Sequence, residues 1–190
     1  ELIDGYNRTL EQTVQRLGRV FAGTYTQRFS YDAGSATLTY NGSQVSALDT
    51  STPDRFTELS GANATVLVRK GSDFERTSTS VKNEKGERAS GSTLGTDHPA
   101  TSLLLKGEHY TGKAKMLGRD FMTHYIPLRD QGGNVIGAFF VGIDFTDGLA
   151  AMKKKILAMK IGETGYPYAM DLGKDKGMLT IHPAKEGTSL

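Results

Sequence analysis

A chain of 190 residues can bury roughly 70% of the surface its unfolded form exposes, so it needs neither disulfide nor metal to fold. It has no cysteine, which excludes thiolate metal sites and Cys nucleophiles. Its 23 Lys and Arg offset 21 Asp and Glu in both halves: residues 1–95 carry 11 basic and 11 acidic side chains, and residues 96–190 carry 12 and 10. That evenness excludes the basic footprint of a nucleic-acid binder.

In chain order, Ile3, Tyr6, Leu10, Thr13, Leu17 and Val20 recur at three- and four-residue spacing, which predicts a helix with one apolar stripe. Two readings of that stripe stay open. It packs on its own domain, or it forms the seam of a homodimer. No run approaches the ~20 apolar residues that cross a bilayer. The helical pattern already runs at the first residues, so any membrane span is expected in flanking segments.

The polar stretch from Asp32 to Pro53 breaks the helical period. Within it, Ala36 to Tyr40 and Gln44 to Leu48 are expected as short strands joined by the Asn41-Gly42 turn. Asp54 to Ser60 reads as a short helix or connector. Thr65 to Arg69 and Phe74 to Val81 read as two strands, followed by a polar loop over 82–97 and a short helix from His98 to Lys106. Three further strands are expected at Gly112 to Leu117, Asp120 to Leu128 and Val135 to Phe145. The last two flank the turn Arg129 to Asn134. Residues 64–145 therefore have the layout of a PAS-like antiparallel sheet with a helix inserted.

Thr146 can cap a second helix whose apolar stripe is Leu149, Met152, Ile156 and Met159 and which ends at Gly162. Its lysines 153–155 and 160 read as a solvated face. Tyr166 to Asp171 and Met178 to His182 read as two strands around the turn Gly173 to Gly177. Two strands alone are marginal, so residues 166–190 are expected to be weakly supported.

Residues 86–93, GERASGST, have the glycine spacing of a phosphate loop, but Ser92 stands where the phosphate-binding lysine belongs. The glycines are expected instead to shape a loop over the sheet. His98, His109, His124 and His182 are scattered without ligand spacing, so no metal and no cofactor is expected. No nucleophile–base pair is legible, and the chain reads as non-catalytic.

One stretch carries recognition chemistry. If 120–128 is a strand, Arg119, Phe121, Thr123 and Tyr125 share one face. An Arg, a hydroxyl and a phenol beside an aromatic wall suit a small carboxylate, because Arg offers forked donors and the hydroxyls add directed bonds. The same alternation on the second strand gives Arg76, Ser78 and Ser80 one face. The competing reading is a solvated sheet face with Arg119 in an ion pair.

The strings ATVLVRKGSDFERTSTSVKNEKGERASG (64–91), TDHPA (96–100) and LLLKGEHYTGKAKMLGRDFMTHYIPLRDQGGNVIGAFFVGIDF (103–145) resemble a Cache domain, the extracytoplasmic sensing fold of bacterial chemoreceptors. KIGETGYPYAMD (160–171) and IHPAKEG (181–187) resemble the start of a second Cache module, as in two-module fusions. The resemblance implies an α/β fold with an N-terminal helix on a PAS-like antiparallel sheet. It divides the chain into a helix and connector (1–55), a sensing module (56–146), and a linking helix with the first strands of a second module (147–190). It also implies a periplasmic location, a small-molecule ligand and a homodimer in the intact receptor. Such a module serves chemoreceptors, histidine kinases and cyclic-dinucleotide enzymes alike.

Overall fold

A computed structural model describes residues 2–83, 85–159, 165–171 and 175–189. The chain divides into two compact units, Glu1–Asp144 and Phe145–Leu190. In the first unit, helix α1 (Leu2–Gly23) packs on the sheet through Val14, Gly18 and Phe21, which are buried. The stripe legible in the sequence lies one position to the side. Leu17 is half-buried in it, and Thr13 and Val20 are exposed. The sheet-facing stripe has no continuous apolar signature because it contains Gly18.

Strands β1 (Phe29–Asp32), β2 (Thr37–Tyr40) and β3 (Ser43–Gln44) form a small antiparallel sheet. The Asn41-Gly42 turn is where the sequence puts it, with positive φ at both residues (49° and 79°), the backbone that a tight hairpin requires. The strand expected to run to Leu48 stops at Gln44, and Leu48 is 96% exposed. Helix α2 (Ser51–Ser60) ends on Gly61, whose left-handed backbone lets its N–H donate to Thr57 O.

The main sheet follows: β4 (Asn63–Lys70), β5 (Asp73–Thr79), then helix α3 (Pro99–Leu105), β6 (Tyr110–Met116), β7 (Arg119–Arg129) and β8 (Val135–Asp144). Its order is β5-β4-β8-β7-β6, with every neighbouring pair antiparallel. This is the two-strand, helix and three-strand layout expected from the sequence. The central strands carry few polar residues because both faces are covered, and the first eight residues of β8 are all buried. One face lies under α1, where Phe21 packs on Phe56 (ring centroids 5.0 Å apart) and Tyr25 stacks on Phe139 (5.2 Å). The opposite face carries a second core of Leu67, Phe74, Leu104, Tyr125, Ala138 and Phe140. Gly137 lets β8 close on β4, since a Cβ there would lie 2.3 Å from the carbonyl oxygen of Leu67.

The second unit contains helix α4 (Thr146–Ala158) and an antiparallel pair of β9 (Ala169–Met170) and β10 (Leu179–Ile181). Thr146 is the first helical residue, and the cap position falls on Phe145 without a side-chain bond. Ile156 is buried, Leu149 and Met152 are half-buried, and Met159 lies beyond the helix end. Leu179 and Ile181 are each 1% exposed, so the last strand is anchored by two apolar side chains. Gly162, as the end of α4, and the start of the turn at Gly173 lie outside the described residues.

The contact between α1 and β7 is made by a histidine. A Cβ on Gly18 would lie 2.6 Å from His124 Cδ2, so the bare backbone of α1 seats directly on the imidazole. His124 Nδ1 lies 2.8 Å from Thr111 Oγ1 and 3.1 Å from Tyr110 O, and Gln15 of α1 donates to Thr111 Oγ1 at 3.2 Å. Burial first, then the neighbouring His109 and Arg19, lower the His124 pKa from 6.5 to about 4. The unfolded chain therefore takes up a proton at His124 before the folded chain does. Stability should be full above pH 6.5, fall as the pH drops toward 4, and level off below that as far as His124 contributes. Urea titrations at pH 7 and pH 5 should show a loss of about 1–2 kcal/mol from this group. His124→Gln should remove most of that difference, leaving a smaller slope from His98.

Candidate functional site

Strand β7 does what alternation demands. Phe121, Thr123 and Tyr125 point away from α1, and all three are buried, at 6%, 0% and 1% exposure. Thr123 Oγ1 donates to Gly112 O (2.7 Å), so its hydroxyl is engaged within the sheet. Arg119 starts the strand and forms an ion pair with Asp144 of β8. Six residues separate it from Tyr125, about 20 Å at the rise of an extended strand. The structure therefore brings together three members of the β7 set and leaves Arg119 at the far end in its ion pair.

Strand β5 departs from the expected alternation. A β-bulge interrupts its pairing with β4 between Val66 and Leu67, and Thr77, the extra residue, donates its hydroxyl to Val66 O at 3.0 Å. The bulge reverses the faces beyond it. Ser78 Oγ donates to Asp49 O (2.6 Å), while Ser80 Oγ accepts from Ala64 N (2.9 Å) and from Thr57 Oγ1 of α2 (2.6 Å). Both serines thus serve the α2 side, and only Arg76 of that set joins the face of Tyr125. The single face expected for Arg76, Ser78 and Ser80 is corrected accordingly.

Around Tyr125 the structure gathers Arg76, His98 and Tyr110. The His98 ring lies 5.6 Å from that of Tyr125 and 5.9 Å from that of Tyr110, and the two tyrosine rings are 6.1 Å apart. His98 is the N-cap of α3, with Pro99 at the first helical position, and its Nδ1 accepts from Ala100 N at 3.1 Å. That bond fixes the tautomer: Nε2 carries the proton and is a donor. Burial and then the charge of Arg76 hold the His98 pKa below 6.5, so the ring stays neutral. Arg76 is oriented by bonds from NH1 to Ser92 Oγ (3.2 Å) and Thr93 O (2.8 Å). These come from the loop that the glycines shape: Gly91 N donates to Arg76 O, and Leu94 N to Phe74 O, along the edge of β5.

Tyr125 holds the site's unresolved account of hydrogen bonds. Its Oη is buried without a well-formed hydrogen bond, and the Arg76 guanidinium lies within weak hydrogen-bonding reach, where it favours the phenolate. Burial outweighs that charge and pushes the phenol up to about 12, so it is a neutral O–H donor. Ser90 Oγ is the other buried hydroxyl without a well-formed bond among the described residues. A buried hydroxyl left unbonded costs about 1–3 kcal/mol. The set therefore presents Arg76, the Nε2–H of His98 and the hydroxyls of Tyr110 and Tyr125, a convergence of donors suited to an acceptor-rich anion.

His98 and Tyr110 were not singled out from sequence. The one available signal is the His-Pro pair in TDHPA, which occurs again in IHPAKEG. There His182 Nδ1 accepts from Ala184 N (3.0 Å) and Lys185 N (2.9 Å), and its Nε2 lies 3.1 Å from Tyr166 Oη. Open space lies elsewhere in the first unit: a cleft of about 470 Å³ beside Arg28 and Arg129, and a groove of about 680 Å³ between α1 and α2. Neither contains a residue of the donor set.

The sequence profile of a Cache 3/Cache 2 fusion domain matches residues 1–190. Among solved structures, the periplasmic sensory domain of the Campylobacter jejuni chemoreceptor Tlp1 is similar at 16% identity and a TM-score of 0.47, over 98% of this chain and 71% of that one. A protein described as methyl-accepting chemotaxis protein X is similar at 16% identity and a TM-score of 0.42, over 99% of this chain and 72% of that one. No curated protein matches.

Removing the poorly bonded hydroxyl should cost the ligand-free protein little. Tyr125→Phe keeps the ring contact with Phe140 (5.0 Å) and deletes a buried hydroxyl that only Arg76 approaches. Its thermal unfolding without ligand should stay within about 1 kcal/mol of the parent. A larger loss would show that Tyr125 Oη has a strong partner in solution.

Proposed function

This chain belongs to the Cache 3/Cache 2 fusion family, and on that premise we propose that it is the extracytoplasmic sensor of a bacterial chemoreceptor, binding a small carboxylate at the Arg76–Tyr125 face of its first sheet. The observation that carries the reading is the buried Tyr125 hydroxyl, weakly met by Arg76 and set among three further donors. A native fold tolerates such a group where a ligand completes it. Arg76 would take the carboxylate through its remaining N–H groups, and His98, Tyr110 and Tyr125 would supply directed bonds. Phe140 and Leu104 of the same core offer an apolar wall.

Transmission follows from β7. Tyr125 and His124 are neighbours on the strand with opposite directions, one into the donor site and one onto Gly18 of α1. Closure of the site around a ligand therefore acts on the strand that seats the long helix. The signal is a shift between two arrangements of that seat, driven by tighter binding to one of them. The module boundaries 1–55, 56–146 and 147–190 fit this reading. Binding alone accounts for the residues of the site, so the sensor is proposed as non-catalytic. Membrane attachment belongs to flanking segments.

A thermal-shift screen of organic acids, amino acids and amines should find stabilising carboxylates, and calorimetry with the best of them measures the site. Arg76→Ala should weaken binding at least tenfold, because a charged hydrogen bond contributes about 1.5–3 kcal/mol. Arg76→Lys should restore part of it, since an ammonium lacks the fork. Arg119→Ala should bind like the parent. The reverse pattern, with Arg119 required and Arg76 dispensable, would move the site to the start of β7.

The homodimer is proposed along the outer stripe of α1, where Leu17 is half-buried and Val20 is 55% exposed. Leu10→Asp with Leu17→Asp should abolish a dimer seen by sedimentation and leave the monomer folded, because the sheet-facing residues Val14 and Phe21 are untouched. A dimer that survives both changes would place the interface elsewhere.

A further inference from the structure

We infer that the chain has a second ligand site, in the cleft where the segment leaving α1 meets the turn between β7 and β8, and that it takes a planar aromatic monoanion. It shares no residue with the Arg76 site. The cleft holds about 470 Å³, within the range of about 300–1,000 Å³ for small-molecule sites. Its floor is apolar. Phe29, Leu128 and Phe139 line it and are buried. The Tyr25 ring, also in the lining, stacks on Phe139 with 26° between the planes, and Phe29 packs on both. A flat ring extends such a cluster through offset or edge contacts that a puckered ring cannot match.

The rim supplies the charge. Its charged residues are Arg28, Arg129 and Asp130, two cations against one anion, a net of +1. Arg129 is ordered before any ligand arrives: Nη1 donates to Gly133 O (2.8 Å) and Nη2 to Gly107 O (2.9 Å). Two of its five N–H groups are used, and three are left for a ligand. Gly107 makes that pose possible, because a Cβ there would run into the guanidinium. Glu108 follows Gly107 but forms no ion pair with Arg129 among the described residues. Arg28 is exposed and makes no hydrogen bond or ion pair among the described residues, so its guanidinium can turn onto an occupant. Asp130 is engaged within its own turn. It accepts from Asn134 Nδ2 (3.1 Å) and Asn134 N (2.9 Å), and these bonds, the side chain's first, hold its carboxyl below the usual range. One negative charge on the ligand therefore cancels the surplus, and a guanidinium also lies well against an aromatic face.

Benzoate is the probe, titrated into the isotope-labelled 190-residue chain and followed by backbone amide shifts, which separate this cleft from the Arg76 site. Saturating shifts are expected at residues 27–29 and 130–133. Arg28→Ala should stay folded, since nothing described bonds to that side chain, and should weaken the response roughly fivefold or more. Benzamide, which keeps the ring and loses the charge, should bind roughly tenfold more weakly or worse. Cyclohexanecarboxylate, which keeps the charge and loses the flat ring, should bind roughly threefold more weakly or worse. Equal binding of benzamide would overturn the anion, equal binding of cyclohexanecarboxylate the planar ring, and an unchanged Arg28→Ala the two-arginine rim. Benzoate shifts confined to Gly91–Leu94 and the neighbours of Tyr125 would place it at the Arg76 site and overturn the second one. Absence of shifts at the cleft would overturn it too, while the Arg76 reading stands or falls on its own calorimetry.

Discussion

The main sheet has no wet face at its centre, and the rest of the structure follows from that. From Phe121 to Tyr125 every residue of β7 is buried, although the strand is not uniformly apolar. A buried polar group needs a partner. Thr123 finds one in the carbonyl of Gly112, and His124 finds one in Tyr110 or Thr111. Tyr125 finds only the weak approach of Arg76. Two adjacent residues of one strand thus carry the two polar contacts that matter, one under the long helix and one in the donor site. Alternation of the strand separates them into different layers and ties them to the same backbone.

The donor site is assembled from elements distant in sequence, and each is held by its own local chemistry. Pro99 and the Nδ1 bond of His98 start α3, which points the other nitrogen of the ring toward the tyrosines. The loop over 89–95 runs beside β5 and takes two bonds from the Arg76 guanidinium, so that side chain is ordered before any ligand arrives. Preorganisation of this kind lowers the entropy lost on binding. The poorly bonded Tyr125 hydroxyl works in the other direction, because a ligand can give it a better partner than the weak approach of Arg76. A site that is ordered but unsatisfied gains stability from its ligand, and a sensor needs that difference between its two states.

Most of the fold was legible because the strands announce themselves by alternation and turns. The Arg129–Asn134 turn, the Asn41-Gly42 turn and the β4–β8 layout all stand where the residues put them. What was hidden has physical causes. The bulge at Thr77 sits in a run of small hydroxyl residues, where either alternation looks equally good, and so Ser78 and Ser80 were assigned to the wrong face. The seat of α1 contains a glycine, whose value is the absence of a side chain, so hydrophobic spacing passed over it. On β7 the face of Tyr125 was readable but its charge partner was not. Arg119 shares that face by parity, yet parity says nothing of the roughly 20 Å between them. Arg76 and His98 reach Tyr125 through a bulge and a helix cap, neither of which has a periodic signature.

The repeated His-Pro-Ala shows which part of the site is architecture and which is recognition. In both units the imidazole Nδ1 accepts a backbone N–H two residues on, at 3.1 Å for His98 and 3.0 Å for His182, and in both the ring lies near two tyrosines. A device that recurs in two units with the same backbone bond belongs to folding: it satisfies a backbone N–H two residues on and fixes a tautomer. The difference lies in the charge. Residues 145–190 contain seven lysines and no arginine, so the second unit has no planar fork to match a carboxylate. His182 already meets Tyr166 Oη through its Nε2, whereas Tyr125 Oη has only the weak approach of Arg76. The shared turn supplies an oriented donor in both units. Only in the first do a buried hydroxyl and a held guanidinium leave that donor something to share with a ligand.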